Sequence, residues 1–171
     1  MIKDFKKGDI WISAVLYMAL GIIILTLILA AGIPVVNKIK DRNTILQTKE
    51  LMFDLDNVIR DVVNQGPGAQ KSIKLEIGRG KFSIQNNTIN WELESKALIA
   101  EPGIKINEGN LIMMTESTNV KDQYNTKLML NYTNSVDINL VGLSNVFSGN
   151  YNLLILNIGG TNLPTVEITE I

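Results

Sequence analysis

Few side chains in this sequence have the types and spacing that chemistry requires, because its 171 residues include no cysteine and no histidine. That composition excludes thiol nucleophiles, Cys/His zinc sites and histidine-dependent serine triads. The remaining candidates are carboxylates: Glu92 and Glu94 on a strand pattern, and Asp54, Asp56 and Asp61 on a helical pattern. A general acid needs a partner group and a pocket, and a solvated face accounts for both sets. We therefore predict a protein that is not an enzyme and uses no cofactor or metal.

Three short motifs resemble functional sites of other kinds. Gly78-Arg79-Gly80 is rich in glycine, but it lies between two strand patterns rather than before a helix, so it predicts a turn and not a phosphate loop. Asn86-Asn87-Thr88 and Asn131-Tyr132-Thr133 match the acceptor pattern for N-glycosylation. Asn86 and Asn131 are therefore potential glycan acceptors if this part of the chain is exported.

The elements that must position these residues begin with an apolar run from Ile10 to Val36, which holds no charged side chain over 27 positions. A helix of that length spans about 40 Å, more than the roughly 30 Å hydrocarbon core of a bilayer. The run is too long for the apolar region of an ordinary secretory signal peptide, although Ala30-Ala31-Gly32 could mimic a cleavage site. A buried core helix is the other alternative, but core helices seldom lack a polar face over this length. We predict a membrane helix, bent near Gly32 and Pro34 because proline removes a helical hydrogen bond.

Charge bears on orientation and partners. The total of 16 basic and 17 acidic side chains gives a net charge of −1, and no basic surface suggests nucleic acid. Cations flank the apolar run on both sides, at Lys3, Lys6 and Lys7 before it and at Lys38, Lys40 and Arg42 after it. The charge rule alone does not decide between these flanks. Since long C-terminal domains translocate largely regardless of such charges, we expect a cytoplasmic N-terminus and an exported C-terminal domain.

Beyond the apolar run, the hydrophobic pattern becomes amphipathic with helical spacing as far as Val63. We predict one helix over residues 10–64, ended by Gly66 and Pro67. On its second half we place an apolar stripe toward the core, and we place the charged residues, including Asp54, Asp56 and Asp61, on the opposite face.

After Gly68 the period changes from 3.6 to 2, which predicts strands. Asn86-Asn87 lies between two such runs and is typical of a hairpin turn. The predicted fold class is α+β: a long, partly transmembrane N-terminal helix followed by an antiparallel β-sandwich-like or barrel-like domain. The predicted strands cover residues 71–77, 82–84, 89–93, 96–100, 104–107, 111–115, 127–133, 136–140, 151–158 and 165–171.

Together these features resemble the type IV pilin superfamily, and most closely its archaeal pilins and pilin-like proteins. The resemblance rests on the short basic leader that ends in Lys7-Gly8, the apolar helix that follows it, Pro34, the amphipathic extension and the β-rich domain. Two residues depart from the family pattern. Asp9 stands where uncharged residues are common, and Ser13 stands where bacterial pilins carry a glutamate, which argues against a bacterial major pilin.

The resemblance implies that residues 1–8 are a leader, or class III signal peptide, and that a prepilin peptidase cuts the bond between Gly8 and Asp9. Residues 9–36 would then form the core of a filament, with residues 37–65 as an amphipathic extension and residues 66–171 as an extracellular β-rich domain. The implied partners are other copies of the chain, the prepilin peptidase, the pilus assembly platform and the membrane. The subunit would reside in the cell membrane before assembly and in a cell-surface filament afterwards.

Two functional hypotheses follow. The first is a structural subunit of an extracellular pilus-like filament that serves surface attachment or motility. The second is a single-pass membrane-anchored surface or pilus-assembly protein whose β-rich domain binds another protein or a glycan.

Overall fold

The computed structural model describes the backbone of residues 6–171 and the side chains from Trp11 onward. Its first element is helix α1 (Lys6–Gln65), which is continuous and contains Pro34. The structure thus confirms the predicted single helix. Most of the expected leader, residues 1–5, lies outside the described residues.

Helix α1 ends where the sequence predicts. Gly66 has a φ of +91°, a left-handed conformation that glycine adopts without steric cost, and its N–H donates to the carbonyl of Val63 at 3.2 Å. Gly68 has the same φ, and its N–H donates to the carbonyl of Asn157 at 2.7 Å. This short turn leads directly into the first strand.

The chain divides into two compact units, residues 1–39 and residues 40–171. The described part of the first unit is the N-terminal part of α1. The second unit contains the rest of α1 and all the strands, with a hydrophobic core of its own.

Within residues 6–171, eight strands form one sheet in the order β3-β4-β5-β2-β1-β7-β8-β6. All neighbours are antiparallel except β6 and β8, which are parallel. The strands are β1 (Gln70–Gln85), β2 (Thr88–Ser95), β3 (Lys105–Glu108), β4 (Leu111–Ser117), β5 (Tyr124–Asn131), β6 (Asp137–Val141), β7 (Val146–Gly159) and β8 (Thr165–Glu170).

The α+β class and a mostly antiparallel sheet are confirmed, but the two-sheet sandwich is not. A single sheet curls into a half-barrel around the second half of α1, so the helix occupies the place that a second sheet would take. The predicted strand at residues 96–100 is wrong, because this segment is a loop. The predicted turn at Gly78-Arg79-Gly80 is also wrong. These residues lie inside β1, at a register shift between Ile77 and Phe82.

The core of the second unit lies between α1 and the sheet, as the amphipathic pattern predicts. The helix contributes a stripe of residues with no exposed surface, and full burial of such a side chain stabilises the fold by about 1.5 to 3 kcal/mol. The sheet contributes three large aromatic residues, Phe82, Trp91 and Phe147, each at most 1% exposed. The helical stripe consists of Ile45, Met52, Leu55, Ile59 and Val62.

Candidate functional site

The most unusual surface of the protein is the apolar segment of α1, which we define as residues 11–36. Every residue in it is exposed except Gly32, which is half-buried. The exposed fraction reaches 76% at Trp11 and remains 48% at Ile24, the most covered of its large hydrophobic side chains. Folded soluble chains rarely leave a contiguous apolar surface of this extent uncovered. In the part of the chain that the structure describes, α1 is the one helix long and apolar enough to cross a membrane.

One polar side chain in the apolar segment has its hydrogen-bond partner within the helix. The Thr26 hydroxyl donates to the carbonyl of Ile22 at 2.8 Å, one helical turn earlier, so it is satisfied within the helix. Pro34 lacks an N–H, but the helix continues past it. The predicted bend at Gly32 and Pro34 stays a prediction. The segment can therefore be covered by any apolar partner, whether lipid or another helix.

The second half of α1 is joined to the sheet by a series of polar contacts, of which the first is at Asp41. This carboxylate is 6% exposed. Its Oδ1 accepts a bond from the Arg79 guanidinium at 2.5 Å, and its Oδ2 accepts one from the backbone N–H of Lys96 at 2.9 Å. A buried carboxylate with two donors fixes the helix to β1 and to the loop after β2 at this level.

Two helical turns further on, Lys49 forms the second contact. Its Nζ lies 2.7 Å from Glu108 Oε1 and 2.6 Å from Oε2, and 5.7 Å from the centre of the Phe53 ring. The ion pair is half-buried, and it attaches the helix to the edge strand β3.

Asp56 forms the third contact and the most enclosed one. The Tyr132 hydroxyl donates to Asp56 Oδ1 at 2.6 Å, Asn110 Nδ2 donates to the same oxygen at 3.1 Å, and Arg60 Nε lies 2.9 Å from Oδ2. Burial and the hydrogen bond to the Asp56 carboxylate raise the pKa of Tyr132 well above its ordinary value of 10.0. The sequence pattern placed Asp56 on the solvated face, and this prediction is wrong because the side chain is 6% exposed.

A fourth contact lies in the last turns of the helix. Lys71 Nζ donates to Asp61 Oδ2 at 2.7 Å on the surface. Nearby, the buried Asn157 donates from Nδ2 to the carbonyl of Val62 at 3.2 Å. The four contacts together attach α1 to the sheet from Asp41 to Val62.

The structure does not bring the other candidate carboxylates together into a site. Asp54, Glu92 and Glu94 are exposed, and Glu94 accepts a hydrogen bond from Gln123 Nε2 at 3.0 Å. Among the described residues, no group of three or more carboxylates has metal-binding geometry. These positions therefore match the solvated faces that the sequence indicates.

The two potential glycan acceptors lie at the surface in different settings. Asn86 occupies the β1–β2 turn with a φ of +51°, followed by Asn87 at +58°, which confirms the hairpin. Asn131 ends β5, and its Oδ1 accepts bonds from the N–H and hydroxyl of Thr133 at 3.0 and 2.7 Å. Both side chains are exposed. Glycosylation at either stays a prediction.

Sequence reasoning missed the inward carboxylates Asp41 and Asp56. A signal for them existed, since both fall on the helical period that includes Ile45, Met52 and Ile59. An aspartate at a position where the period requires an apolar residue indicates a buried polar partner elsewhere in the chain. The partner, Arg79 in one case and Tyr132 in the other, is not evident from local sequence.

The expected cleavage residues Lys7, Gly8 and Asp9 have helical backbone within α1, and their side chains lie outside the described residues. No protein-family model, no curated protein and no solved structure matches this chain.

Proposed function

We propose that this chain is a structural subunit of an extracellular pilus-like filament, used for surface attachment or motility. In the filament, the apolar segments of neighbouring copies pack together and the β-rich unit faces water. The observation that carries the proposal is the apolar segment itself, exposed along its whole length. A monomer with such a surface is not stable in water. The segment must exchange lipid for other helices when the subunit leaves the membrane.

The attachment of α1 to the sheet favours a filament subunit over a simple anchored domain. A domain held at a membrane by a tether needs only a spanning helix and a linker. Here the apolar segment continues without interruption into a helix that supplies the core of the β-rich unit. The polar contacts from Asp41 to Val62 reinforce that attachment. Such a helix suits a subunit whose copies are held together through their helices.

The second candidate function is a single-pass anchored surface or pilus-assembly protein that stays in the membrane. The observation in its favour is the group of cations directly after the apolar segment, Lys38, Lys40 and Arg42, which suits a permanent position at the headgroup layer. The two functions predict different N-termini. Leader cleavage by a prepilin peptidase leaves Asp9 first, whereas a permanent anchor keeps Met1.

The test is mass spectrometry of the N-terminus of the native protein, combined with electron microscopy of sheared cell-surface material. A chain that begins at Asp9 and is found in filaments supports the filament subunit. An intact Met1 in the membrane fraction, with none of the chain in filaments, contradicts it and supports the anchor.

A substitution makes the test sharper. Gly8→Val puts a branched side chain at the expected cleavage bond and should abolish both maturation and filaments. Gly78→Val is the matched control, because Gly78 has open space around its Cβ position and no left-handed φ. Normal filaments from the Gly8→Val chain would refute the assigned bond.

A further inference from the structure

An open cleft lies between the β1–β2 turn and strand β6, within the unit of residues 40–171. Its volume is about 510 Å³, inside the range of roughly 300 to 1,000 Å³ that is typical of small-molecule sites. Among residues 6–171, β6 is the last strand in the sheet order, so its outer edge has no neighbouring strand. That edge forms one wall of the cleft, which we call the amide cleft.

Hydrogen bonds hold the walls of the amide cleft in place. The Asn87 side chain, in the β1–β2 turn, donates from Nδ2 to Asp137 Oδ1 at 2.9 Å. Its Oδ1 accepts from the backbone N–H of Ile138 at 2.8 Å. The N–H of Ile84 donates to the carbonyl of Asn145, in the loop between β6 and β7, at 3.0 Å. The cleft is therefore preformed, and a ligand does not have to order its walls on binding.

The same Asn87 side chain makes β6 a poor site for an added strand. Peptides that extend a sheet bind through a ladder of backbone hydrogen bonds along the open edge. The N–H of Asp137 donates to the carbonyl of Pro164 on the β8 side, so by alternation the N–H groups of Ile138 and Leu140 lie on the outer edge. Asn87 already occupies the first of these two groups. One remaining N–H is too few for a ladder.

The lining of the amide cleft is rich in primary amides and carries no charge. Five of its eight residues are asparagine or glutamine, and none is acidic or basic. A primary amide offers two donors and an oxygen with two lone pairs. Asn87 uses its amide within the protein. The side-chain amides of the other four have no partner among the residues that the structure describes, and all four residues are exposed: Gln85, Asn86, Asn139 and Asn145.

We propose that the amide cleft binds a neutral oligosaccharide. A hydroxyl donates one hydrogen bond and accepts two, so neighbouring amides match adjacent sugar hydroxyls with both donors and acceptors. Ile138 and Leu140 are half-buried in the lining and provide apolar contact for the C–H groups of a sugar ring. An anionic ligand gains no ion pair from the lining, and an apolar one leaves the amides without partners.

This site goes beyond the proposed function and does not depend on it. Every lining residue belongs to the unit of residues 40–171, so binding is independent of what covers the apolar segment. The potential glycan acceptor Asn86 is itself a lining residue, so a glycan attached there would compete with a bound sugar.

The test uses the full-length chain, produced in a host without N-glycosylation and placed in phosphatidylcholine nanodiscs. Nanodiscs are preferable to alkyl-glycoside detergents, which would present sugars to the cleft. The probes are cellotriose, maltotriose, chitotriose and mannotriose, with trigalacturonate as the anionic comparison. NMR spectra of isotope-labelled asparagine and glutamine side chains measure binding. We expect at least one neutral probe to shift several side-chain amide signals with a Kd of about 1 mM or less, and trigalacturonate to bind more weakly.

Substitutions then locate the site. Asn139→Ala/Asn145→Ala removes two exposed amides and should weaken binding by at least about tenfold, because several hydrogen bonds to the sugar are lost. The matched control is Asn107→Ala, since Asn107 is an exposed asparagine on β3, at the other end of the strand order. It should bind as the unsubstituted chain does. Circular dichroism checks that both variants are folded.

Four results would each overturn the site: no binding of any neutral probe up to about 10 mM, equal affinity in the folded double variant and the control, tighter binding of trigalacturonate, or binding only of an extended hexapeptide of alternating serine and valine. The last result would assign the cleft to an added strand. None of them affects the filament subunit, which the N-terminus of the native chain tests separately.

Discussion

Gly80 is a residue at which the fold of the β-rich unit tolerates little change. Its φ is +90°, and a Cβ there would lie 2.6 Å from Trp91 Nε1 and 2.7 Å from the Glu92 carbonyl oxygen. The same Trp91 Nε1 donates to the carbonyl of Arg79 at 2.9 Å. The bulge in β1 thus depends on a residue without a side chain, close to a buried indole ring.

We expect Gly80→Ala to lower the free energy of unfolding by about 2 to 4 kcal/mol, because left-handed strain adds to a steric clash. The measurement is urea unfolding in detergent micelles, followed by circular dichroism. Gly78→Ala is the control, with open space at its Cβ position and an expected change within about 0.5 kcal/mol. Similar losses in both variants would contradict the role assigned to Gly80.

The hydrogen bond between Tyr132 and Asp56 leads to a second prediction, which concerns the dependence of stability on pH. Tyr132→Phe should lower the free energy of unfolding by about 1 to 3 kcal/mol at pH 7, because the buried carboxylate of Asp56 loses a hydrogen-bond donor. The pKa of Tyr132 is raised in the folded state, so above about pH 10 the unfolded chain releases this proton first. Above pH 10 the free energy of unfolding of the unsubstituted protein should therefore fall faster than that of Tyr132→Phe. The difference should be up to about 1.4 kcal/mol per pH unit. The free energy of unfolding of both proteins is measured by urea unfolding from pH 8 to 11. An equal decrease with pH in the two proteins would rule this prediction out.

At the scale of secondary structure, β4 and β5 contain an unusual pair. Thr115 and Thr126 lie opposite each other with no exposed surface. Neither hydroxyl has a hydrogen-bond partner among the residues that the structure describes. A buried hydroxyl without a partner costs about 1 to 3 kcal/mol.

We therefore expect the double variant Thr115→Val/Thr126→Val to raise the free energy of unfolding by at least about 1 kcal/mol. Thr169→Val, on the half-exposed face of β8, is the control and should change stability by less than about 0.5 kcal/mol. A destabilised double variant would show that the two hydroxyls do have partners in solution. Urea unfolding under the same conditions as for Gly80→Ala provides the measurement.

Local sequence patterns predicted the helix, strands and turns better than they predicted how the strands are arranged in the sheet. The change of period at Gly68 and the Asn86-Asn87 turn are local signals, and both gave the correct elements. The pairing of β6 with β8 joins Asp137 to Thr165, which are far apart in sequence, and no local pattern specifies it. The sandwich form of the prediction was not confirmed, for a related reason. Alternation shows that one sheet face is buried, but it does not show whether a second sheet or the helix covers that face.

For the candidate site, the sequence predicted the apolar segment almost completely, because 27 uncharged positions are a strong signal. It did not predict how α1 is attached to the sheet. Asp41 meets Arg79 and Asp56 meets Tyr132 only after the sheet has curled around the helix, so these contacts are properties of the tertiary fold.

At the scale of the whole molecule, the two units should differ in solubility. A chain that begins at residue 37 lacks the apolar segment and keeps the unit with its own core. We expect it to be a monodisperse monomer without detergent, whereas the full-length chain should need detergent or assemble. Size-exclusion chromatography with light scattering measures both. A full-length monomer free of detergent would contradict the exposed apolar segment and the function proposed from it.

The position of β8 between β7 and β6 has a consequence for biogenesis. β8 is the last of the eight strands to be synthesised, and β6 has no other neighbour in the sheet. An emerging polypeptide cannot complete this sheet until residues 165–170 have been delivered. β6 is synthesised earlier but has no strand neighbour in this sheet until that point.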